Sequence, residues 1–304
     1  MKKISYISVI ILVGIIVITY FVYKSFRNER LSELETGSQV AETPRGPLEY
    51  QIFGKTGPVI LFIHGTSGGY DSGFPWPGYR VLSVSRPGYL RTPLSTGRTP
   101  DEQAHAYAAL LEMLNINSVV VFGASGGGPS SIAFAALYPE KTIGYIGLFP
   151  ISQSWRIIKQ PAFTNSDFWL WFVAKILSNS FGQKIANFFT QGQGARQWIE
   201  MGPDMLGDTW PPSLREAGFL NDLTQFKELD LLNGRDISVP TLIIHGTADI
   251  NVPFSQSKSL AERVSGSVLH PIEGGTHSMM STHSEEIIPV MAEFISRLTN
   301  SSKE

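Results

Sequence analysis

The sequence contains no cysteine and few charged residues. The lack of cysteine excludes disulfides, thiolate metal sites and a cysteine nucleophile. Charged residues make up 16% of the 304 residues and hydrophobic residues 42%, whereas the usual charged share is about 25%. The net charge of −2 gives no electrostatic reason to expect nucleic acid as a partner. The composition therefore predicts a large buried core and a further apolar segment outside it.

Charge is also absent from residues 4–23, which lie between Lys3 and Lys24. At about 1.5 Å per residue, a helix of this length spans about 30 Å, the thickness of a bilayer core. The alternative is a cleaved signal peptide. However, the apolar run exceeds the usual length of about 7–15 residues, and no small-x-small site precedes Lys24. We predict an uncleaved anchor over residues 1–23 that contacts the lipid bilayer through residues 4–23. We also predict a single-pass protein of the cell membrane, with the N-terminus inside and the rest outside the cytoplasm.

The remaining chain divides into four predicted segments. Residues 24–46 are polar and predict a stalk. Short apolar runs alternate with helical segments over residues 47–150 and again over residues 236–304, which is typical of parallel strands covered by helices on both faces. Residues 151–235 are rich in aromatic side chains and contain no convincing strand. We therefore predict an α/β fold with a mostly parallel central sheet flanked by helices, an inserted helical cap and an N-terminal transmembrane helix.

The strand pattern is clear enough to assign ranges. The predicted strands cover residues 59–63, 80–84, 118–122, 143–148, 241–245 and 267–272. Thr99, Pro100 and Glu102 form a capping box with proline at the first helical position, which predicts a helix start. Further helices are predicted over residues 129–138, 255–264 and 285–298.

Residues 123–127 (Gly-Ala-Ser-Gly-Gly) fit the pattern G-x-S-x-G between a predicted strand and a predicted helix. In that context the serine sits at a sharp, strained turn that exposes its hydroxyl above the sheet. The alternative is a glycine-rich turn that binds phosphate. The sequence there lacks both G-x-G-x-x-G and the Gly-Lys-Ser/Thr ending of a P-loop. The pattern therefore makes Ser125 a candidate nucleophile.

A serine hydroxyl is a weak nucleophile that needs a base. His277 lies in a glycine-rich loop after the last predicted strand. That position is at the carboxyl edge of the sheet, where Ser125 is also expected. We predict His277 as the base, with His283 as the alternative.

The base needs an acid to orient it. Asp249 follows the strand over residues 241–245 and is expected at the same edge, whereas Asp230 and Asp236 precede that strand. Together with Asp249, the candidates give the chain order Ser–Asp–His, each on a loop after a strand.

Acyl transfer also needs backbone amides that stabilise an oxyanion. The amide of Gly126, the residue after the candidate nucleophile, is one predicted donor. Residues 64–69 form a glycine-rich loop after the first clear strand. We predict Thr66 in that loop as the second donor, with Ser67 as the alternative.

Four motifs together resemble the α/β-hydrolase superfamily, in the group that includes esterases, lipases and prolyl-type aminopeptidases. The resemblance covers about residues 48–298, and the cap matches only in position. Ser85 is a departure, because relatives usually have Asp before Arg-Pro-Gly. The serine nucleophile disfavours the epoxide-hydrolase and dehalogenase branches. The motifs are His64-Gly65 with its glycine loop, Arg86-Pro87-Gly88-Tyr89, the Ser125 turn, and the pair Asp249-x-x-Val252-Pro253 and Gly275-Thr276-His277.

The resemblance implies a serine hydrolase that cleaves an ester, or an amide, of a small and partly apolar substrate. The reaction would pass through an acyl-enzyme on Ser125. No metal or organic cofactor is implied. Two alternatives remain open. One is acyl transfer to another acceptor by the same residues, and the other is a non-catalytic binding protein on the same fold. The second is disfavoured because such proteins usually lose a member of the triad.

Overall fold

The computed structural model describes residues 6–156, 166–189, 206–207, 209–229 and 237–300. In this part of the chain eight strands form one sheet, in the order β1-β2-β4-β3-β5-β6-β7-β8. The strands β3 to β8 run parallel to one another, whereas β2 is antiparallel to both β1 and β4. Their bounds are β1 (Gln39–Thr43), β2 (Gly46–Phe53), β3 (Val59–Ile63), β4 (Arg80–Val84), β5 (Val119–Ala124), β6 (Thr142–Leu148), β7 (Thr241–Gly246) and β8 (Val268–Ile272).

Helices precede, connect and cover these strands. The described helices are α1 (Tyr6–Thr36), α2 (Pro100–Met113), α3 (Gly128–Leu137), α4 (Asp167–Leu177), α5 (Ser180–Phe189), α6 (Glu216–Gln225), α7 (Ser255–Arg263), α8 (Met279–Thr282) and α9 (Ser284–Asn300). The predicted capping box is present at the start of α2. Thr99 Oγ1 accepts a hydrogen bond from the Glu102 amide, and the Glu102 carboxylate accepts one from the Thr99 amide.

Two apolar clusters cover the two faces of the sheet. Along β3, Leu61 packs with α2 and α3 on one face, and Phe62 packs on the other face with the cluster that includes Ile287 and Met291 of α9. Successive side chains of a strand point to opposite faces, so both faces of the central strands are buried. This confirms the predicted α/β fold and its mostly parallel sheet. Each predicted strand is present, with ends that differ by up to two residues.

The first two strands were not predicted from the sequence. Strand β1 is an edge strand whose side chains at Gln39, Val40 and Glu42 are exposed. An exposed edge strand needs no apolar alternation, so its sequence is similar to that of a polar linker. It pairs with β2 through a tight turn between Thr43 and Gly46.

The stalk expected over residues 24–46 is corrected by the structure. Helix α1 continues without a break from its apolar half to Thr36, and β1 follows within three residues. The exposed polar side chains between Lys24 and Thr36 lie on the outer side of a helix whose other side packs on the protein, where Arg30 binds Asp71. The boundary between anchor and core is therefore a continuous helix and not a flexible linker.

Residues 151–235, where we expect the cap, are described in part. The described residues in that range contain the helices α4, α5 and α6 and no strand. The assignment of this range to a separate cap stays a prediction.

Candidate active site

The turn at Ser125 joins β5 to α3. Ser125 has a φ of 49°, which is strained for a residue with a side chain. Its neighbours must be small, because a Cβ at Gly123 would lie 1.9 Å from Ser131 Oγ and one at Gly127 would lie 2.4 Å from the Ile63 carbonyl oxygen. The G-x-S-x-G spacing is therefore required by close packing on both sides of the serine.

Ser125 and His277 are in hydrogen-bond contact, as are His277 and Asp249. His277 Nε2 lies 3.1 Å from Ser125 Oγ, and Nδ1 lies 2.7 Å from Asp249 Oδ2. Asp249 follows β7 and His277 follows β8, so the parallel sheet brings all three to its carboxyl edge. Because Nδ1 donates to the carboxylate, Nε2 is left to accept the serine proton. The three residues thus have the geometry that the predicted roles require.

Asp249 is buried and contacts three groups besides His277. Its Oδ1 accepts hydrogen bonds from the amides of Asn251, at 2.8 Å, and Val252, at 3.0 Å. Burial alone would raise the pKa of Asp249. Hydrogen bonds from His245 and His277, the charge of His277 and the Val252 amide outweigh it and lower the pKa far below its usual range. The carboxylate is therefore ionised wherever the protein is folded near neutral pH.

Two side chains that support this arrangement were not singled out as site residues from the sequence. His245 is fully buried and accepts from Ser257 Oγ at Nδ1. Its Nε2 lies 2.9 Å from the Val252 carbonyl oxygen and 3.4 Å from Asp249 Oδ2, so one N–H is shared between these two acceptors. Phe149 has a φ of 37°, and its ring centroid lies 4.4 Å from that of His277. A strained aromatic residue at the end of β6 has no sequence signature, whereas His245 was visible only as a histidine that ends a strand.

The predicted oxyanion donors lie on two loops that touch. A Cβ at Gly126 would lie 2.9 Å from the Thr66 amide nitrogen. This favours Thr66 over Ser67 as the second donor, and that assignment stays a prediction.

His64 connects the Thr66 loop to the loop after β4. Its Nε2 accepts from the Arg86 amide at 2.9 Å, so Nδ1 carries the hydrogen and donates to the Gly65 carbonyl oxygen at 2.6 Å. Burial, with the nearby positive charge of Arg86, lowers the pKa of His64 well below its usual value. His64 is therefore a neutral structural link at the base of the loop.

A buried carboxylate on α6 joins these loops to the predicted cap. Asp222 accepts from both Nη atoms of Arg86, at 2.5 and 3.0 Å, and from the hydroxyls of Tyr89, at 2.6 Å, and Thr66, at 3.0 Å. Three of these donors share Asp222 Oδ2, and Arg86 Nη2 binds Oδ1, so both oxygens of the buried carboxylate are hydrogen-bonded. No local motif surrounds Asp222 in the sequence, and only its contacts identify it.

The serine at position 85 contacts a carboxylate from another strand. Ser85 Oγ donates to Glu49 Oε2 at 2.7 Å, and Glu49 also binds the Arg91 guanidinium at 2.8 Å. Glu49 of β2 therefore supplies negative charge beside position 85, where relatives are expected to have Asp.

Of the other candidates, the two histidines contact residues other than Ser125. His283, the alternative base, contacts its neighbour Thr282 at 2.7 Å, and His105 contacts the Tyr138 hydroxyl at 2.6 Å. Asp230 and Asp236 lie outside the described residues. Within the described ranges, no three His, Asp or Glu side chains are placed to hold a metal ion.

Comparison with known proteins gives matches over most of the chain. The sequence profile described as "Alpha/beta hydrolase family" matches residues 60–290. The uncharacterized hydrolase YcgS of Bacillus subtilis is 27% identical over 74% of this chain and 86% of its own length. A bifunctional esterase/perhydrolase of Acinetobacter calcoaceticus is 26% identical over 78% of this chain and 91% of its own length. Among solved structures, an alpha/beta hydrolase fold protein from Nakamurella multipartita has a TM-score of 0.68 and 29% identity, and the match covers 86% of this chain and 98% of that one.

Proposed function

The chain belongs to the alpha/beta hydrolase family and is a hydrolytic enzyme, and from that premise we propose that it is a serine hydrolase. We propose that it cleaves an ester, or an amide, of a small and partly apolar substrate through an acyl-enzyme on Ser125. The observation that carries this proposal is the unbroken chain of contacts from Ser125 Oγ through His277 to the buried Asp249 carboxylate.

The proposed reaction uses the side chains and backbone amides described above. Ser125 Oγ attacks the carbonyl carbon of the substrate while its proton passes to His277 Nε2. The amides of Gly126 and Thr66 stabilise the oxyanion of the tetrahedral intermediate. His277 then gives the proton to the leaving alcohol or amine, which departs and leaves the acyl group on Ser125. A water molecule, deprotonated by His277, releases the acid and restores the serine.

Acyl transfer to an acceptor other than water is the second candidate. One relative is named a bifunctional esterase/perhydrolase, so hydrogen peroxide is the acceptor to test. Attack of peroxide on the acyl-enzyme would release a peracid and restore Ser125. The intact contacts among Ser125, His277 and Asp249 argue against a non-catalytic binding protein.

We expect loss of turnover when the proposed nucleophile or base is removed. Ser125→Ala and His277→Ala should each lower kcat by about 10³-fold or more, and the double variant should lose little beyond either one, because the groups act as a unit. The measurement is release of p-nitrophenol from esters of increasing acyl length, and of p-nitroaniline from aminoacyl amides, by the full-length protein in detergent.

His283→Ala is the control for the base. It should keep the rate, because His283 contacts Thr282 and not Ser125. If His283→Ala were inactive and His277→Ala active, the proposed base would be wrong.

We also propose that residues 4–23 anchor the enzyme in the cell membrane as a single span, with the catalytic part outside the cytoplasm. One described helix, over Ser8–Thr36, is long and apolar enough to cross a bilayer, and its apolar window is not buried in the protein. A cleaved signal peptide is disfavoured by the continuity of α1, because cleavage near Lys24 would cut a helix whose next turns pack on the protein. Protease accessibility of the catalytic part in intact cells tests the orientation.

A further inference from the structure

The second half of α1 is packed on the helices of the predicted cap. Tyr23 and Phe26 lie on one face of α1, and their neighbours are aromatic. The Tyr23 ring centroid lies 5.2 Å from the rings of both Phe168 and Trp171. The Phe26 ring lies 5.0 Å from Trp210. The last residue of the proposed span is thus in direct contact with the first turn of α4.

Polar contacts hold the same face of α1 one turn further on. Arg30 binds Asp71 at 2.8 Å, and the same Asp71 oxygen is bound by the buried Arg215 at 2.8 Å. The Tyr70 hydroxyl donates to the Leu34 carbonyl oxygen at 2.8 Å. The helix is therefore fixed by apolar and ionic contacts along its length, and its direction relative to the cap is set by the fold.

This attachment defines where a bilayer would lie. Residues 6–22 extend away from the protein, and nearly all of their described side chains are exposed. Their length is about 25 Å, most of the thickness of a bilayer core. Since Tyr23 contacts Phe168, the start of α4 lies beside the end of the proposed span, at the depth of the lipid headgroups.

Helices α4 and α5 of the predicted cap carry exposed apolar side chains. Trp169 is 52% exposed although it neighbours Phe168. Ile176 lies two turns further along the same face of α4. Phe181, in the first turn of α5, is 72% exposed. Exposed apolar side chains that cluster on one side of a soluble protein mark an interaction surface. Tryptophan in particular favours the interface between lipid and water.

Exposed basic side chains are present on each of the helices α1, α4 and α5. Lys24 and Arg27 are exposed on α1, Lys175 on α4 and Lys184 on α5. Lys175 Nζ lies 5.5 Å from the Phe26 ring, next to the junction of anchor and cap. Asp167, the acidic residue at the start of α4, is occupied by the amide and hydroxyl of Ser213. Basic side chains beside an apolar surface are what binding to anionic lipid headgroups requires.

We propose that the face carrying Trp169, Ile176 and Phe181 lies in the headgroup layer of the membrane that holds the anchor. This inference rests on the proposed anchor and adds a second, peripheral contact between cap and lipid. The partner is a bilayer that contains anionic phospholipid.

The natural absence of cysteine makes the proposal testable in the full-length protein, because a single introduced cysteine is the only thiol. Trp169→Cys and Phe181→Cys are labelled with an environment-sensitive fluorophore. Met113→Cys and Val268→Cys are the matched controls, at 47% and 56% exposure on the core. Tyr20→Cys reports on the anchor itself. Each protein is inserted into phosphatidylcholine–phosphatidylglycerol vesicles with or without a headgroup nitroxide lipid, and ester hydrolysis verifies that it is folded.

We expect the nitroxide to quench the fluorescence of the label at positions 20, 169 and 181. The fluorescence at positions 113 and 268 should not change. Quenching at 20 without quenching at 169 or 181 would overturn the contact between cap and lipid while leaving the anchor intact. No quenching at 20 would overturn the anchor, and this inference with it. A label at 169 or 181 that is shielded from water but not quenched would mean a protein occupant, such as a second copy, and would also overturn the proposal.

Discussion

At the scale of single residues, the environment of the candidate site determines the charge of two buried side chains in opposite ways. Asp249 stays ionised although it is buried, because two histidines and backbone amides donate to it. His64 stays neutral, because burial and Arg86 both disfavour its protonated form. The two residues therefore respond to acid in different pH ranges.

The lowered pKa of His64 predicts a loss of stability in mild acid. Unfolded histidine titrates near pH 6.5, at about its reference pKa. Below that pH the unfolded chain takes up a proton that the folded protein excludes, so the free energy of unfolding falls as the pH drops from about 6.5. Asp249 contributes to the free energy of unfolding above about pH 4, and this contribution is lost only below that pH, because the pKa of Asp249 is lower in the folded protein than in the unfolded chain.

Urea unfolding of the detergent-solubilised protein at about pH 7.5 and pH 5 measures this effect. His64→Gln should be less stable than the natural protein at the higher pH, because it loses two hydrogen bonds. It should also lose less stability between the two pH values. His283→Gln, on a partly exposed histidine, should keep the natural pH dependence. An identical pH dependence in His64→Gln and the natural protein would contradict the assignment of a neutral, buried His64.

At the scale of secondary-structure elements, α6 is joined to the predicted oxyanion loop through Asp222. The Arg86–Asp222 ion pair is buried on both sides, and the Thr66 hydroxyl shares the same carboxylate. A close backbone approach reinforces the contact, since the Gly218 amide of α6 donates to the Gly88 carbonyl oxygen at 2.8 Å. The position of the Thr66 amide therefore depends on a helix that is distant from it in sequence.

Removing the Thr66 hydroxyl tests this dependence without removing the amide. Thr66→Val should lower kcat by about tenfold, equivalent to about 1.4 kcal/mol, with little change in KM, because the amide is needed mainly in the transition state. Thr66→Ser keeps a hydroxyl and should recover most of the loss. If Thr66→Val had the same kcat as the natural protein, Asp222 would only hold the predicted cap in place and would not position the Thr66 amide.

Asp222→Ala should lower the free energy of unfolding by about 3–5 kcal/mol, because it leaves Arg86 buried without a partner.

The elements differ in how far they could be predicted from the sequence. Strands β3 to β8 are buried on both faces, so their apolar runs stand out, and the glycines around Ser125 are required by contacts local to the turn. Asp222 could not be assigned in the same way, since its partners lie more than a hundred residues away in the chain. Edge strand β1 is solvated and has the composition of a linker. Local patterns therefore predicted the core and the candidate triad, and missed the long-range polar contacts that join α6 to them.

At the scale of the whole molecule, α1 is both the proposed membrane span and a packed element of the enzyme. Its first half is exposed, and its second half contacts the predicted cap and the loop at Tyr70. A chain that begins near Glu33 lacks Tyr23, Phe26 and Arg30, so it should be less stable than the full-length protein. A chain that begins near residue 20 keeps these contacts and should unfold at the higher temperature of the two.

Two phenylalanines of α1 allow the same point to be tested without truncation. Phe26 is partly buried against Trp210, whereas Phe21, five positions earlier, is 62% exposed on the protruding half. Phe26→Ala removes packing between anchor and cap, so it should lower the free energy of unfolding by about 1–3 kcal/mol, less than for a fully buried ring. Phe21→Ala removes an exposed ring that lies beside Tyr20 on the protruding half of α1, and it should change that stability by less than about 0.5 kcal/mol. Both variants are unfolded with urea in the same detergent, and the loss of ester hydrolysis is used to monitor unfolding. Equal stability of the two variants would mean that α1 does not pack on the enzyme and is joined to it only through the polypeptide, as a stalk would be. A lower stability of Phe26→Ala alone would make the anchor a structural part of the hydrolase.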